Sequence, residues 1–267
     1  MRSQWGEQAE LGASIYGCRN GGPLLPGGDC TPVRVSVVIP THNEAQAIGR
    51  VLTEVPSDLV TEILVVDSNS NDGTPEIARR MGARVVQEPR RGYGRACLTG
   101  LANASTPDVV VFLDGDYSDR PSELPILLAP IIDGHADITL GSRLGPKRIP
   151  GALPWHAVFG NRLAAALITL LYGLKISDLG PFRAGRADVL RGLALEETTY
   201  GWAVEMILKA TLEGFRIVEV PVSYYPRIGK SKISGTLKGT VGAAWFILSL
   251  IVRYYFRRRG PRTPRPG

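Results

Sequence analysis

The chain has 267 residues, of which 44% are hydrophobic and 21% charged, and its formal net charge at pH 7 is +6. This apolar content suits a buried core and excludes an intrinsically disordered protein. We find no clean run of 18 or more apolar residues and no basic segment leading into an apolar one at the start, so we expect neither a transmembrane helix nor a signal peptide. Three cysteines without metal-binding spacing are too few for a disulfide framework, which favours the reducing cytosol.

The basic residues are unevenly distributed. From Pro221 to Gly267 the sequence has ten basic residues and no acidic one, whereas the remainder has more acidic than basic residues. A basic tail suits an anionic partner such as a phosphate, a membrane surface or a nucleic acid. Its last part, Arg257 to Gly267, fits a solvated, disordered segment equally well.

Short β-branched runs alternate with helical segments from Val33 onward, whereas residues 1–32 are rich in Gly and Pro and predict a mobile arm. The predicted strands are Val35–Pro40, Ile63–Asp67, Ala83–Gln87, Asp108–Asp114, Ile138–Arg143 and Phe215–Val222. Helices are predicted at Ala45–Glu54, after Thr74 as N-cap with Pro75 in the first position, and up to about Ala104. This alternation predicts an α/β fold with a mostly parallel sheet and helices on both faces.

Two apolar segments in the second half predict further helices. We expect Trp155 to Leu174 to pack in the core. Val241 to Val252 is too short to span a bilayer, and Arg253 and an arginine cluster follow it. We therefore expect an amphipathic helix in the membrane interface, rather than one packed on the domain or in an oligomer contact.

The chemistry-bearing residues are expected beyond the carboxyl ends of the strands, where such sheets bind ligands. Asp114-Gly115-Asp116 follows a buried-looking strand, and two carboxylates one residue apart can both reach one hard cation, Mg²⁺ or Mn²⁺. Asp67 ends an earlier strand and is placed either to accept hydrogen bonds from a base or ribose or to cap the following turn.

Together these motifs resemble the GT-A glycosyltransferases of family 2, which are inverting nucleotide-sugar transferases. The matching stretches are Val38–Glu44, Val65–Thr74 and Asp114–Asp116, within a resemblance that runs from about Val33 to Ile233. Within the family, the dolichyl- and polyprenyl-phosphate mannosyltransferases are most alike, through Gly141–Arg143, Asp178–Arg183, Glu219–Val222 and Arg227–Lys232. The resemblance implies a GT-A domain over residues 33–233, followed by an apolar and basic membrane-interface segment over residues 234–267.

The resemblance also implies roles for individual residues. The nucleotide base and ribose would contact Pro40, Glu44, Val65 and Asp67, and His42 would stand where the family usually has a base-stacking Tyr. The metal would be held by Asp114 and Asp116, with the backbone of Gly115 near the nucleotide. The phosphates would be faced by Arg143, Arg227 and Lys232. Ser118 departs from the family by replacing a metal-binding Gln, and Ser68 by replacing the second Asp of a pair.

The function expected from the resemblance is Mg²⁺- or Mn²⁺-dependent transfer of a sugar from a nucleotide-diphosphate donor, GDP-mannose-like or a UDP-sugar, to a polyprenyl phosphate. We expect a peripheral protein on the cytoplasmic face of the membrane. The first alternative is a hydroxyl acceptor, soluble or glycolipid, for which Glu205 is the candidate general base; a structural role for Glu205 is equally open. A nucleotidyltransferase and a non-catalytic membrane-binding adaptor are further alternatives. We expect no nucleic-acid partner, because the basic residues follow an apolar segment and line no aromatic-studded groove.

Overall fold

The structure is a computed structural model that describes residues 32–145, 148–229 and 237–259. The predicted N-terminal arm and Lys232 lie outside these described residues, except for Pro32. The strands are β1 (Val35–Thr41), β2 (Glu62–Asp67), β3 (Arg84–Gln87), β4 (Val109–Phe112), β5 (Ile138–Ser142), β6 (Arg183–Arg186) and β7 (Ile217–Pro221). The helices are α1 (Ile48–Glu54), α2 (Thr74–Arg80), α3 (Tyr93–Asn103), α4 (Leu124–Ile132), α5 (Trp155–Tyr172), α6 (Ala187–Gly192), α7 (Trp202–Glu213) and α8 (Leu237–Arg259).

The seven strands form one sheet in the order β3-β2-β1-β4-β6-β5-β7. β6 runs antiparallel to both of its neighbours, β4 and β5, and the other adjacent pairs are parallel. The mostly parallel α/β sheet predicted from the sequence is therefore confirmed. β6 was not predicted, because Arg183-Ala-Gly-Arg186 carries no β-branched or aromatic residue that would mark it as a strand.

Helices cover both faces of the sheet, and the alternation of side chains along each strand explains why. In β1, Val37 and Ile39 point into one hydrophobic cluster with α1 and α4, whereas Val38 points into the other, which contains α3 and α7. β4 repeats the pattern, with Val111 on the first side and Phe112 on the second. Because both faces of the central strands are buried, these strands read as continuous apolar runs in the sequence.

The start of α2 differs from the sequence prediction. Thr74 is the first residue of the helix and Gly73, with a φ of 87°, occupies the N-cap position, so Thr74 is not the N-cap. The Thr74 hydroxyl donates to Asp72 and accepts a hydrogen bond from the Glu44 amide at 2.9 Å. Thr74 therefore holds the loop after β1 in place rather than capping its own helix.

The prediction that the α5 segment packs in the core is only half right. Ala164, Ala165 and Ile168 are buried, whereas a set of large apolar side chains on the same helix faces solvent. That set consists of Trp155, Phe159, Leu163 and Leu170, with Trp155 80% exposed.

The C-terminal helix α8 was predicted to lie in the membrane interface rather than against the domain. One face does pack on the domain, through Leu250, Ile251 and Tyr254, while Trp245 and Phe256 are exposed. Among the described residues, none of the helices combines the length and the hydropathy that crossing a bilayer requires.

Two helix glycines provide a test of how closely α3 packs on the sheet. A Cβ at Gly100 in α3 would overlap the side chain of Val38 in β1, whereas a Cβ at Gly160 in α5 would meet nothing within 4 Å. We expect Gly100→Ala to lower the free energy of unfolding by about 1–3 kcal/mol through overpacking. The matched change Gly160→Ala should raise it by about 0.5–1 kcal/mol through helix propensity. Urea unfolding monitored by circular dichroism measures both, and equal effects would contradict the packing.

Candidate active site

The predicted site residues converge at the carboxyl ends of β1, β2 and β4. Thr41 at the end of β1 pairs with Asp67 at the end of β2, and His42 and Glu44 follow β1 directly. Asp114 and Asp116 follow β4, which pairs with the other side of β1. The topology thus brings together segments more than 70 residues apart in the sequence, as expected for a parallel sheet.

The two carboxylates of Asp114-Gly115-Asp116 have different surroundings. Oδ1 of Asp116 accepts hydrogen bonds from the amide of Ser118 at 2.9 Å and from its hydroxyl at 2.5 Å. Oδ2 of Asp116 lies 3.3 Å from Nη1 of Arg227. Burial, and then the charge of Asp116, raise the pKa of Asp114 above its ordinary value. Two neighbouring carboxylates with little solvent form a negative region that a cation stabilises.

The donor set fits a hard divalent cation. Carboxylate oxygens at a strand end are the ligands that Mg²⁺ and Mn²⁺ prefer. Within the described ranges, no group of three or more His, Cys, Asp or Glu side chains gathers into a metal site. Asp114 and Asp116 remain the two predicted protein ligands, and the other positions around such an ion would suit water and substrate phosphate oxygens, as is usual for Mg²⁺.

Arg227 forms ion pairs with two carboxylates of the site. Its guanidinium contacts Glu44 through Nη2 at 3.0 Å and Asp116 through Nη1 at 3.3 Å. The segment that carries it is fixed by two backbone bonds of 2.9 Å, from the Tyr225 amide to the Ser118 carbonyl and from the Ile228 amide to the Asp116 carbonyl. Glu44 was predicted to contact the nucleotide base and ribose, and Arg227 to contact the phosphates. In the structure the two residues form an ion pair with each other.

Arg143, the second predicted phosphate ligand, is engaged by a carboxylate. Its Nε and Nη2 donate to the two oxygens of Asp178 at 2.8 and 2.9 Å, and its backbone amide donates to the same group at 2.9 Å. Its guanidinium also lies over the ring of Tyr224, 5.1 Å from the centroid. Arg143 still acts electrostatically on Asp114 while it is paired with Asp178.

The predicted nucleotide-binding residues fall into two groups. Pro40 is half-buried at the end of β1, and the half-buried His42 donates from Nδ1 to the Ser68 carbonyl at 2.7 Å. The carboxylate of Asp67 accepts hydrogen bonds from the amide and hydroxyl of Ser70, which is the turn-capping role considered for it. Val65, which was also predicted to contact the nucleotide, is fully buried in the core, so its side chain is not exposed to a ligand.

Gly115 allows the loop after β4 to lie close to β1. A Cβ there would stand 2.9 Å from Cγ2 of Thr41 and 3.5 Å from the Pro40 carbonyl oxygen. The backbone of Gly115 was predicted to lie near the nucleotide. In the structure it lies close to β1, the neighbouring strand.

This geometry belongs to a known family. A family model described as Glycosyl transferase family 2 matches residues 36–193, more than half of the chain. The chain is a family 2 glycosyltransferase. The matched range begins in β1 and ends just after α6, so it contains both the nucleotide-side loops and the Asp114–Asp116 pair.

Curated relatives cover most of this glycosyltransferase. An uncharacterized glycosyltransferase of Mycobacterium tuberculosis is 37% identical over 220 residues, 80% of this chain and 98% of the relative. A dolichyl-phosphate hexose transferase of Haloferax volcanii is 36% identical, covering 74% and 86%. An undecaprenyl-phosphate mannosyltransferase of Micrococcus luteus is 33% identical, covering 78% and 90%. The resemblance inferred from the motifs is confirmed by these relatives.

The GT-A fold is also confirmed. A crystal structure of glucosyl-3-phosphoglycerate synthase from Mycobacterium tuberculosis, in complex with Mn²⁺, UDP and phosphoglyceric acid, matches with a TM-score of 0.69. The two sequences are 23% identical, and the match covers 96% of this chain and 84% of the other. At this identity the similarity concerns the fold.

Glu205 of the glycosyltransferase has a structural role, which decides between the two alternatives left open by the sequence. It is fully buried and accepts hydrogen bonds from the amides of Glu196 and Glu197 and from the Tyr254 hydroxyl at 2.8 Å. Lys209 pairs with it at 2.9 Å. A carboxylate with this many donors is stabilised in its charged form and is a poor general base.

The sequence analysis missed Asp119. Its carboxylate is fully buried, and neither oxygen has a hydrogen-bond partner. Burial, and then the charge of Asp114, raise its pKa well above the ordinary value. Its position three residues after Asp116 was the available signal, because it adds a third carboxylate to the same short segment.

The buried ion pair between Asp178 and Arg143 should contribute strongly to stability. Burial opposes the charge of Asp178, but Arg143 outweighs it and lowers the pKa of Asp178. Asp178→Ala leaves a buried guanidinium unpaired, so we expect a loss of about 3–5 kcal/mol in the free energy of unfolding. The control Asp188→Ala, which breaks the exposed pair with Arg186, should cost less than about 1 kcal/mol.

The same pair predicts a pH dependence. Because the pKa of Asp178 is lower in the folded than in the unfolded state, its contribution is complete above about pH 4 and is lost as the pH falls through the folded pKa. Urea unfolding of the wild type and of Asp178→Asn between pH 3 and pH 7 measures it. A stability difference that did not shrink toward acid pH would contradict the ion pair.

Proposed function

We propose that this glycosyltransferase moves a hexosyl group from a nucleotide-diphosphate sugar, GDP-mannose-like or a UDP-sugar, to a polyprenyl phosphate on a membrane surface. The observation that carries the proposal is the identity of 36% and 33% to relatives named for dolichyl-phosphate and undecaprenyl-phosphate transfer, over most of both chains. The buried free thiol of Cys97 supports a reducing compartment and hence the cytoplasmic face of the membrane.

The charges of the site suit the departure of a nucleoside diphosphate. Glycosyl transfer passes through an oxocarbenium-like transition state while negative charge grows on the leaving group. A divalent cation held by Asp114 and Asp116 would stabilise that charge electrostatically. Arg227 lies beside Asp116, and its planar guanidinium can bind two phosphate oxygens at once. Lys232, outside the described residues, is proposed to face the phosphates with it.

The lack of a free base at Glu205 favours a phosphate acceptor. A hydroxyl acceptor has to lose its proton during the reaction and therefore needs a general base. The carboxylate considered for that task is buried and bonded to four donors. A lipid phosphate is already anionic near neutral pH and attacks without one. Glu205 thus supports the polyprenyl phosphate over the hydroxyl alternative.

The transfer reaction provides the direct test. The full chain is incubated with undecaprenyl phosphate in detergent, radiolabelled GDP-mannose or UDP-glucose, and Mg²⁺ or Mn²⁺, and lipid-linked sugar is extracted. We expect Asp114→Asn and Asp116→Asn each to lower turnover about 100-fold or more, because charge stabilisation of the leaving group is lost. The exposed Asp188→Asn is the matched control and should keep wild-type turnover.

Three results would contradict the proposal. Near wild-type turnover of Asp114→Asn or Asp116→Asn would contradict the proposal that these residues bind the metal. Transfer to a soluble hydroxyl compound but not to the lipid phosphate would favour the first alternative. Failure of the wild type to bind any nucleotide sugar in the presence of Mn²⁺ would favour a non-catalytic adaptor.

The proposed membrane contact rests on the exposed apolar side chains of α5 and α8. The two helices pack together, with the Tyr172 hydroxyl donating to the Ile251 carbonyl at 2.6 Å. On α5, Trp155, Phe159 and Leu163 recur every four residues and therefore share one face, and α8 adds others. Among the described side chains of α8, the exposed large apolar ones are Trp245, Val252 and Phe256, and the basic residue Arg253 is exposed as well. Apolar residues with neighbouring arginines are typical of helices that lie in the membrane interface.

Vesicle binding tests this contact. We expect Trp155→Ser combined with Trp245→Ser to lower co-sedimentation with anionic vesicles several-fold, because two large exposed side chains no longer enter the interface. The control Met81→Ser removes an apolar side chain that is 46% exposed on a different helix terminus and should bind like wild type. Equal sedimentation of all three proteins would place the membrane contact elsewhere.

A further inference from the structure

Arg227 contributes to the charge balance around the carboxylates. Two guanidiniums, Arg143 and Arg227, act on the charge of Asp114. Arg143 is already paired with Asp178 through both of its bonded nitrogens. Arg227 instead forms two ion pairs, with Glu44 at 3.0 Å and with Asp116 at 3.3 Å. Among the described residues, Arg227 is therefore a cation in direct contact with Asp116, one of the two proposed metal ligands.

The position of Arg227 is set by the backbone as well as by charge. The amides of Tyr225 and Ile228 bond to the Ser118 and Asp116 carbonyls at 2.9 Å, so the arginine is carried on a segment fixed to the Asp116 loop. Its side chain is 27% exposed, so it is not enclosed by the protein. Movement of this side chain away from Asp116 requires no change in the backbone bonds that hold the segment.

We propose that Arg227 is an internal counter-ion that competes with the divalent cation for Asp116 and transfers to the diphosphate of the donor when the cation binds. The inference rests on the proposed function. A cation bound at Oδ2 of Asp116 and the Arg227 guanidinium next to that oxygen would repel each other, since both are positive and close. The donor diphosphate offers Arg227 new anionic partners, and charge-assisted pairs of this type are strong.

The exchange makes binding of the cation and the donor cooperative. Without a diphosphate, the cation has to displace Arg227 from Asp116 and leaves it paired with Glu44 alone. With a diphosphate, the displaced guanidinium gains a partner, so each ligand raises the affinity for the other, as linkage requires. Arg227 thus occupies Asp116 before the cation binds and contacts the diphosphate afterwards.

Cation binding, measured apart from turnover, tests the exchange. Mn²⁺ binding to the full chain is followed by electron paramagnetic resonance of free Mn²⁺, with and without UDP or GDP, for the wild type, Arg227→Gln, Arg227→Lys and Arg34→Gln. Without nucleotide we expect Arg227→Gln to bind Mn²⁺ about fivefold more tightly than wild type, because the competing charge is gone. With the nucleotide we expect the reverse order, because the diphosphate has lost its partner.

The controls separate this exchange from a general effect of charge. Arg34→Gln removes an exposed cation at the opposite end of β1 and should leave Mn²⁺ affinity unchanged. Arg227→Lys keeps the charge and should stay close to wild type without nucleotide. If Arg227→Gln raised the Mn²⁺ affinity equally with and without nucleotide, or did not raise it at all, the proposed exchange would be wrong. The proposed metal site would not be affected by that result. Absence of Mn²⁺ binding by the wild type even with nucleotide would overturn the proposed metal site, and the exchange with it.

Discussion

The crowding of carboxylates beyond β4 is the constraint on which the rest of the site depends. Asp114, Asp116 and the fully buried Asp119 lie within six consecutive residues, and burial raises the pKa of Asp114 and of Asp119. Uncompensated charges of one sign are costly in such surroundings. Two arginines offset this negative charge. Arg227 forms an ion pair with Asp116, and Arg143 acts electrostatically on Asp114.

The order of the strands explains how those arginines reach the carboxylates. β6 runs antiparallel between β4 and β5, so the segment before it passes beside the end of β5, where Asp178 meets Arg143. Arg183 at the start of β6 is fully buried and donates to the carbonyls of Leu179, Gly180 and Ala203. Burial lowers its pKa, and the carbonyl contacts fix the turn that carries Asp178. The antiparallel strand β6 thus positions Asp178 against Arg143, one of the residues proposed to face phosphate.

The same network reaches the helices proposed to contact the membrane. Glu205 on α7 binds the amides of Glu196 and Glu197 and the hydroxyl of Tyr254 on α8. The residues that follow, Thr198 and Thr199, accept hydrogen bonds from the first amides of α3. A carboxylate that the sequence presented as a possible base therefore joins α8 to the inner helices of the domain.

The sequence by itself determined the alternating α/β order, the family and the Asp114–Asp116 pair, because each depends on local pattern: apolar strand runs, the turn chemistry after them and a short motif. It did not reveal β6, which has the composition of a turn, or the solvent-facing side of α5, whose apolar residues cover more than one face of the helix. The sequence also did not show that the Val65 side chain is buried while Asp67 of the same strand contacts the following turn. Both faces of β2 are apolar at this point, so no alternation marks the difference.

Only the tertiary structure decided which charges meet. Glu44 and Arg227 are 183 residues apart, and Arg143 and Asp178 are 35 residues apart, so no local pattern links them. Both arginines were predicted to face phosphate, and both contact carboxylates. The reason is physical: composition fixes how many charges a chain has, whereas the energy of each charge depends on distance and burial, which only the packed fold sets.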